Sequence, residues 1–160
     1  MGSQNRTNRS KGDDIMNLID AVKVVLANNF ALYLKAHYFH WNVEGPDFAQ
    51  FHEFFENLYT DFYSSIDHFA EEIRALDAYA PGSFDRYIEL SQIKGEDRIL
   101  VAPEMLRQLQ TDNQTMITSL EAAYKLADIA NELGLSNFIQ DRIDQHKKHA
   151  WMIRSFLKGR

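Results

Sequence analysis

Apolar side chains return every three or four positions along most of this chain, the period of helices that bury one face. The first run carries Ile15, Leu18, Ile19, Val22, Val25, Leu26 and Phe30. Asp13 or Asp14 can cap it and Gly45-Pro46 stops it, so the pattern predicts a helix ending near Asn42. Asp20, Lys23, Asn28 and Asn29 interrupt its apolar stretch, which therefore reads as an amphipathic soluble helix and not as a membrane span. A second helix is predicted from about Asp47 to Tyr79, on Phe51, Phe54, Phe55, Leu58, Phe62, Ile66, Phe69, Ile73 and Leu76, with Pro81-Gly82 at its end.

From Ser83 to Ala102 the connection is longer than a tight turn and contains a short periodic piece, Phe84 to Leu90, which reads as a crossover carrying its own small helix. Pro103 opens a third helix that runs through Met105, Leu109, Met116, Leu120 and Leu126 to Leu133, where Gly134 should terminate it. Ser136 is then placed to cap a fourth helix through Ile139, Ile143, Trp151, Ile153 and Phe156. No convincing strand, repeat or low-complexity tract appears. The fold class is all-α: a four-helix bundle of the ferritin-like connection type, with an extra helix between the second and third.

The length, 160 residues, and a hydrophobic share of 45% suit one domain, expected over 13–160. Residues 1–12 are polar and contain Arg6, Arg9 and Lys11, a composition expected to stay loose. With 17 Lys plus Arg against 23 Asp plus Glu the net charge is −6, so no global basic field draws the protein to nucleic acid. There is no Cys, which removes disulfides, thiol catalysis and thiolate metal sites together.

What chemistry remains is concentrated in His40, His52, Glu56, Asp67 and Glu71. Imidazole and carboxylate ligands suit Fe(II), Mn(II) or Zn(II). His52 with Glu56, and Asp67 with Glu71, are each four apart and share a helical face. His52 and Asp67 fall within about 60° of one another around the helix but roughly 22 Å apart along it, too far for one metal to see both pairs. If all five serve one site, a second copy of the helix must run antiparallel to the first. A twofold dimer supplies that copy, and makes the site twice. Di-iron bundles that hold metal within one chain use Glu-x-x-His pairs. This sequence has none, so the bundle core is expected to be apolar and the metal site to lie elsewhere.

The run from His37 to Pro46, with Phe51-His52, Phe55-Glu56, Tyr59, Asp67, Ala70-Glu71, Ile73-Arg74 and Leu76, resembles the signature of the Dps miniferritins, the DNA-protection-during-starvation proteins. His149-Ala150-Trp151-Met152 is similar to their last helix, so the likeness extends over about residues 15–158. The resemblance implies a hollow shell of twelve subunits, cytoplasmic and associated with the nucleoid where DNA is bound. It implies a ferroxidase centre at each twofold interface, peroxide as the preferred oxidant of Fe(II), and a stored ferric mineral. On that likeness His40 and His52 are ligands from one subunit, and Asp67 and Glu71 come from its neighbour. Glu56 stands where some members have Asp, which leaves its contact direct or through water.

Other residues read more plainly. His37, His68, His146 and His149 are expected to be satisfied core or surface histidines. Trp41 either packs at the end of the first helix or, next to His40, gives an electron to a stray oxidant. Glu132, Asp141 and Asp144 are candidates for iron entry and nucleation. A different class of function also fits the sequence: a DNA-compacting assembly with a vestigial metal site, binding weakly through Arg6, Arg9 and Lys11. A zinc- or manganese-loaded member without redox turnover is a third.

Overall fold

The computed structural model describes residues 10–160, all of whose regular structure is helical: α1 (Lys11–Asn42), α2 (Phe48–Ala75), α3 (Phe84–Leu90), α4 (Ala102–Ile129) and α5 (Leu133–Leu157). Arg6 and Arg9 lie outside the described residues, and Lys11 opens α1. The cap of α1 is Ser10, whose hydroxyl accepts from the Asp13 N–H at 3.2 Å. Asp13 and Asp14, expected as caps, instead place negative charge in the first turn, where the helix dipole favours it.

α1 packs on α2 and α4, α4 on α5, and α3 on α1. The short connections 43–47 and 130–132 make α1/α2 and α4/α5 antiparallel hairpins, and the long crossover returns the chain so that α4 runs antiparallel to α1. The buried pair Lys35–Asp112, at 2.6 Å, joins the end of α1 to the beginning of α4. By length and composition α1 could cross a membrane. Here its inner stripe, including Leu18, Val22, Leu26, Leu32 and Phe39, is core of the bundle.

Two helix ends differ from the sequence expectation. α2 stops at Ala75 because Asp77 takes a left-handed conformation (φ 64°) and the Ala78 N–H closes back on the Ile73 carbonyl at 3.2 Å. α4 stops at Ile129, not Leu133, for the same reason. Asn131 is left-handed (φ 58°), and the Glu132 N–H reaches the Ala127 carbonyl at 2.9 Å. Gly134 therefore lies inside the first turn of α5, and Ser136 is a buried helical residue and not a cap.

The expectation of a wholly apolar core also fails. α2 and α5 are bridged by long side chains, apolar at the ends (Phe51 and Phe54 on Phe156, Phe69 on Phe138) and polar in the middle. There Asp61 receives both Arg142 terminal nitrogens, at 2.9 and 2.8 Å, and His149 Nε2 at 2.7 Å. His146 Nδ1 meets Asn113 Oδ1 at 2.7 Å, and Asn29 donates to the Phe62 carbonyl and the Ser65 hydroxyl. Polar residues survive in a core when they satisfy one another, which these nearly do; Arg142 Nε, His149 Nδ1 and Asn29 Oδ1 remain without partners.

The interrupting asparagines of α1 are thereby explained. Asn29 ties α1 to α2, while buried Asn28 receives the Gln92 N–H at 2.7 Å and donates to the Gln92 side chain at 3.0 Å, pinning the crossover. Tyr38 holds the same segment farther on by donating to the Arg98 carbonyl at 2.8 Å.

Candidate metal centre

His40 is in the last turn of α1 and His52 in the second turn of α2. The turn between them uses Gly45 at φ 96° and Asp47 at φ 64°, and it folds α2 back so that the imidazoles stack, with centroids 3.7 Å apart and planes 15° from parallel. Each ring is then held by the other's backbone: His40 Nδ1 lies 2.8 Å from the His52 carbonyl, and His52 Nδ1 lies 2.8 Å from the His40 carbonyl. A carbonyl can only accept, so both Nδ1 atoms carry a proton, which in the neutral imidazole leaves the lone pair on Nε2. Such a hydrogen bond behind a ring fixes tautomer and orientation as metal-binding imidazoles require.

Aromatic rings surround this pair. Phe48 stacks on His52 at 5.0 Å and Tyr59 meets His40 edge-on at 5.1 Å. His37 lies between Tyr59 (3.9 Å) and Trp41 (4.0 Å), and burial, with a smaller push from His40, lowers its pKa and favours the neutral ring. Burial, followed by the nearby Glu56 carboxylate and Tyr33, raises the Tyr59 phenol and keeps it protonated. Trp41 is 59% exposed, with its ring against His37, so it is not a core residue.

Glu56 is exposed one turn beyond His52, and Asp67 and Glu71 are exposed farther along α2. The structure thus brings His40 and His52 together, and leaves Asp67 and Glu71 as a separate carboxylate pair on the surface. Among the described residues no three His, Asp or Glu side chains of one chain gather around a common point. Two rigid imidazole nitrogens and two exposed carboxylates have the donor chemistry for a divalent metal, in two halves.

The remaining histidines serve packing. His146 and His149 belong to the buried layer around Asp61, and exposed His68 stacks on Phe138 at 3.5 Å. Asp61, Asn113 and Arg142 were not singled out by sequence reasoning. Arg142, His146 and His149 follow the i, i+4, i+7 spacing of an inward face, which is the one signal that could have marked them.

Residues 19–159 match the ferritin-like domain family. DNA protection during starvation protein 2 of Bacillus anthracis is 31% identical over 140 residues, covering 88% of this chain and 96% of that protein. The chain belongs to the Dps miniferritins. Solved Dps structures share the fold: that from Bacillus brevis has a TM-score of 0.87 at 30% identity, covering 90% of this chain and 97% of the other. The Vibrio cholerae Dps has a TM-score of 0.87 at 27% identity with 98% of each chain covered, and is described as a member of a broad superfamily of ferritin-like diiron-carboxylate proteins. In this Dps chain the middle of the bundle holds the Arg142 guanidinium paired to Asp61, a cation supplied by the protein itself.

Proposed function

We propose that this Dps chain binds Fe(II) as a substrate at two centres per twofold dimer and oxidises it, with hydrogen peroxide as preferred oxidant. The ferric product is stored inside a shell of twelve subunits, in the cytoplasm, and the cell and its DNA are thereby protected. His40 and His52 of one subunit supply neutral nitrogen donors. Asp67 and Glu71 of its neighbour supply the negative charge that stabilises Fe(III) over Fe(II), and Glu56 assists beside His52. Two Fe(II) ions give one electron each to one peroxide, which takes up two protons and leaves as two waters, so no hydroxyl radical is released. Trp41, exposed beside His37, is placed to give an electron when only one iron is present. Asp141 and Asp144, exposed on α5, are candidate nucleation residues.

The observation that carries this reading is the reciprocal His40–His52 clasp. Two rings held with both Nε2 lone pairs available are organised for a metal, which argues against a vestigial site in a purely DNA-compacting assembly. Exposed Leu34, Trp41, Phe84 and Ile88 on the α1/α3 side offer apolar area for the pairing that a split site needs. Anaerobic Fe(II) loading followed by peroxide tests it. Rapid formation of Fe(III) is expected at one peroxide consumed per two irons, with a particle mass near twelve times 18.6 kDa by light scattering. A monomer with full oxidation activity would overturn the reading.

A further inference from the structure

Tyr33, His37 and Trp41 follow one another at intervals of four on α1, so their rings rise along one face of the helix. α2 packs Tyr59 against the same face. His37 is enclosed between two rings, Tyr59 at 3.9 Å and 18° from parallel, and Trp41 at 4.0 Å and 32°. Tyr59 also reaches the His40 ring edge-on at 5.1 Å, so the ladder begins at the imidazole clasp. At its far end the Tyr33 ring lies 5.6 Å from that of His37, and the Tyr33 hydroxyl is 3.3 Å from His37 Nδ1. In the tautomer that accepts this bond, His37 carries its own proton on Nε2. Tyr33 thus has an imidazole base at its hydroxyl. Tyr59 differs, because burial, then the Glu56 carboxylate, raises its phenol and keeps its proton in place.

We propose that Tyr33 is the residue that finally gives up an electron when Trp41 is oxidised, its phenolic proton passing to His37. The oxidant is the hydroxyl radical that forms when one peroxide meets a single Fe(II), so its source, though not the relay itself, rests on the iron reading above. The radical takes one electron from Trp41 and becomes hydroxide. The oxidised indole takes one in turn from Tyr33 across the intervening His37 ring, while the Tyr33 O–H bond breaks and its proton forms an N–H bond at His37 Nδ1. Trp41 is restored. The products are hydroxide, a neutral Tyr33 phenoxyl radical and a protonated His37, so charge, protons and electrons balance. A phenol is hard to oxidise while it keeps its proton, and a base already in place at the hydroxyl removes that obstacle. The unpaired electron thereby leaves Trp41, which is 59% exposed, for a half-buried ring two turns back along α1.

The test uses the intact, metal-free assembly carrying Trp151→Phe, which leaves Trp41 as the remaining one of the chain's 2 tryptophans, and oxidises it with azide radicals in pulse radiolysis. Indolyl absorbance should give way to phenoxyl absorbance at a rate independent of protein concentration. Adding Tyr33→Phe should prolong the indolyl radical. His37→Phe, which keeps a ring but no base, should slow the conversion about tenfold, the worth of one charge-assisted hydrogen bond in a rate. Tyr59→Phe should leave the conversion as it is, with assembly checked in each variant by light scattering. Phenoxyl growth at the parent rate in Tyr33→Phe, or slowing by Tyr59→Phe in its place, overturns the proposal. With one Fe(II) per centre and peroxide, freeze-quenched samples should carry a tyrosyl signal in electron paramagnetic resonance that becomes a tryptophanyl signal in Tyr33→Phe. Conversion under azide radicals with no radical from iron and peroxide would uphold the relay and count against the iron reading alone.

Discussion

Asp61 has one carboxylate for two partners, Arg142 and His149, and its ionisation decides whether the middle of the bundle is balanced. Burial alone would raise its pKa, but the hydrogen bonds from Arg142 and His149 outweigh that and hold it well below the usual carboxylate range. Asp61→Asn leaves the guanidinium buried without a counter-charge. We expect it to cost about 3 kcal/mol in urea unfolding, at the low end for a broken buried pair because the Asp61 side chain keeps 23% exposure. His146 sets the pH dependence at milder acidity. Burial, then Arg142, lowers its pKa well below 6.5, and its Nε2 accepts from Arg142 at 3.2 Å, so the folded ring is neutral where the unfolded ring is protonated. A depressed pKa means that folding releases a proton, so stability is fully present above pH 6.5 and falls as the pH drops below it. Asp61 adds a further loss as the pH falls through the carboxylate range, while Asp112, raised by burial against the pull of Lys35, acts in the opposite sense. Unfolding midpoints between pH 7.5 and 5 should therefore decline, and His146→Gln should flatten that decline; an unchanged slope would contradict the assignment.

Among the elements, the turns carry the most specific expectation. Asn131 is left-handed with no glycine's freedom, so Asn131→Gly should be neutral or slightly stabilising and Asn131→Val should cost about 1–2 kcal/mol by thermal unfolding. The same residue shows why sequence reading reached the helices but not their ends. Periodicity located α1, α2, α4 and α5 because each buries a repeating face, and Phe84–Leu90 was legible from its short periodic pattern although none of its residues is buried; the structure adds Ser83 as its cap. The stops at Asp77 and Asn131 depend on a backbone conformation that Asp and Asn adopt without announcing it, whereas Gly134, the conspicuous terminator, sits in a helix. At the candidate centre, ligand types and spacing singled out His40 and His52 as candidates, but the exchange of backbone bonds between them exists only once the turn has folded. The Asp61 layer was invisible for a related reason, since it joins residues 81 and 88 positions apart.

For the whole molecule, the proposed centre needs more than one copy of the chain. His40 and His52 are organised on one part of the chain, Asp67 and Glu71 are exposed on another, and among the described residues no three such side chains gather at one point. A second copy is proposed to complete each centre, and reassembly of two defective variants tests this. His52→Ala and Asp67→Ala should each assemble normally and lose fast Fe(II) oxidation. When the two are unfolded together in equal amounts and reassembled, half the dimers are mixed, and in each mixed dimer one centre collects both lesions and the other neither. About a quarter of the wild-type oxidation rate should return. Assembled mixed particles that remain as inactive as either variant alone would show that the ligands do not come from two subunits, and the split-centre account would be wrong.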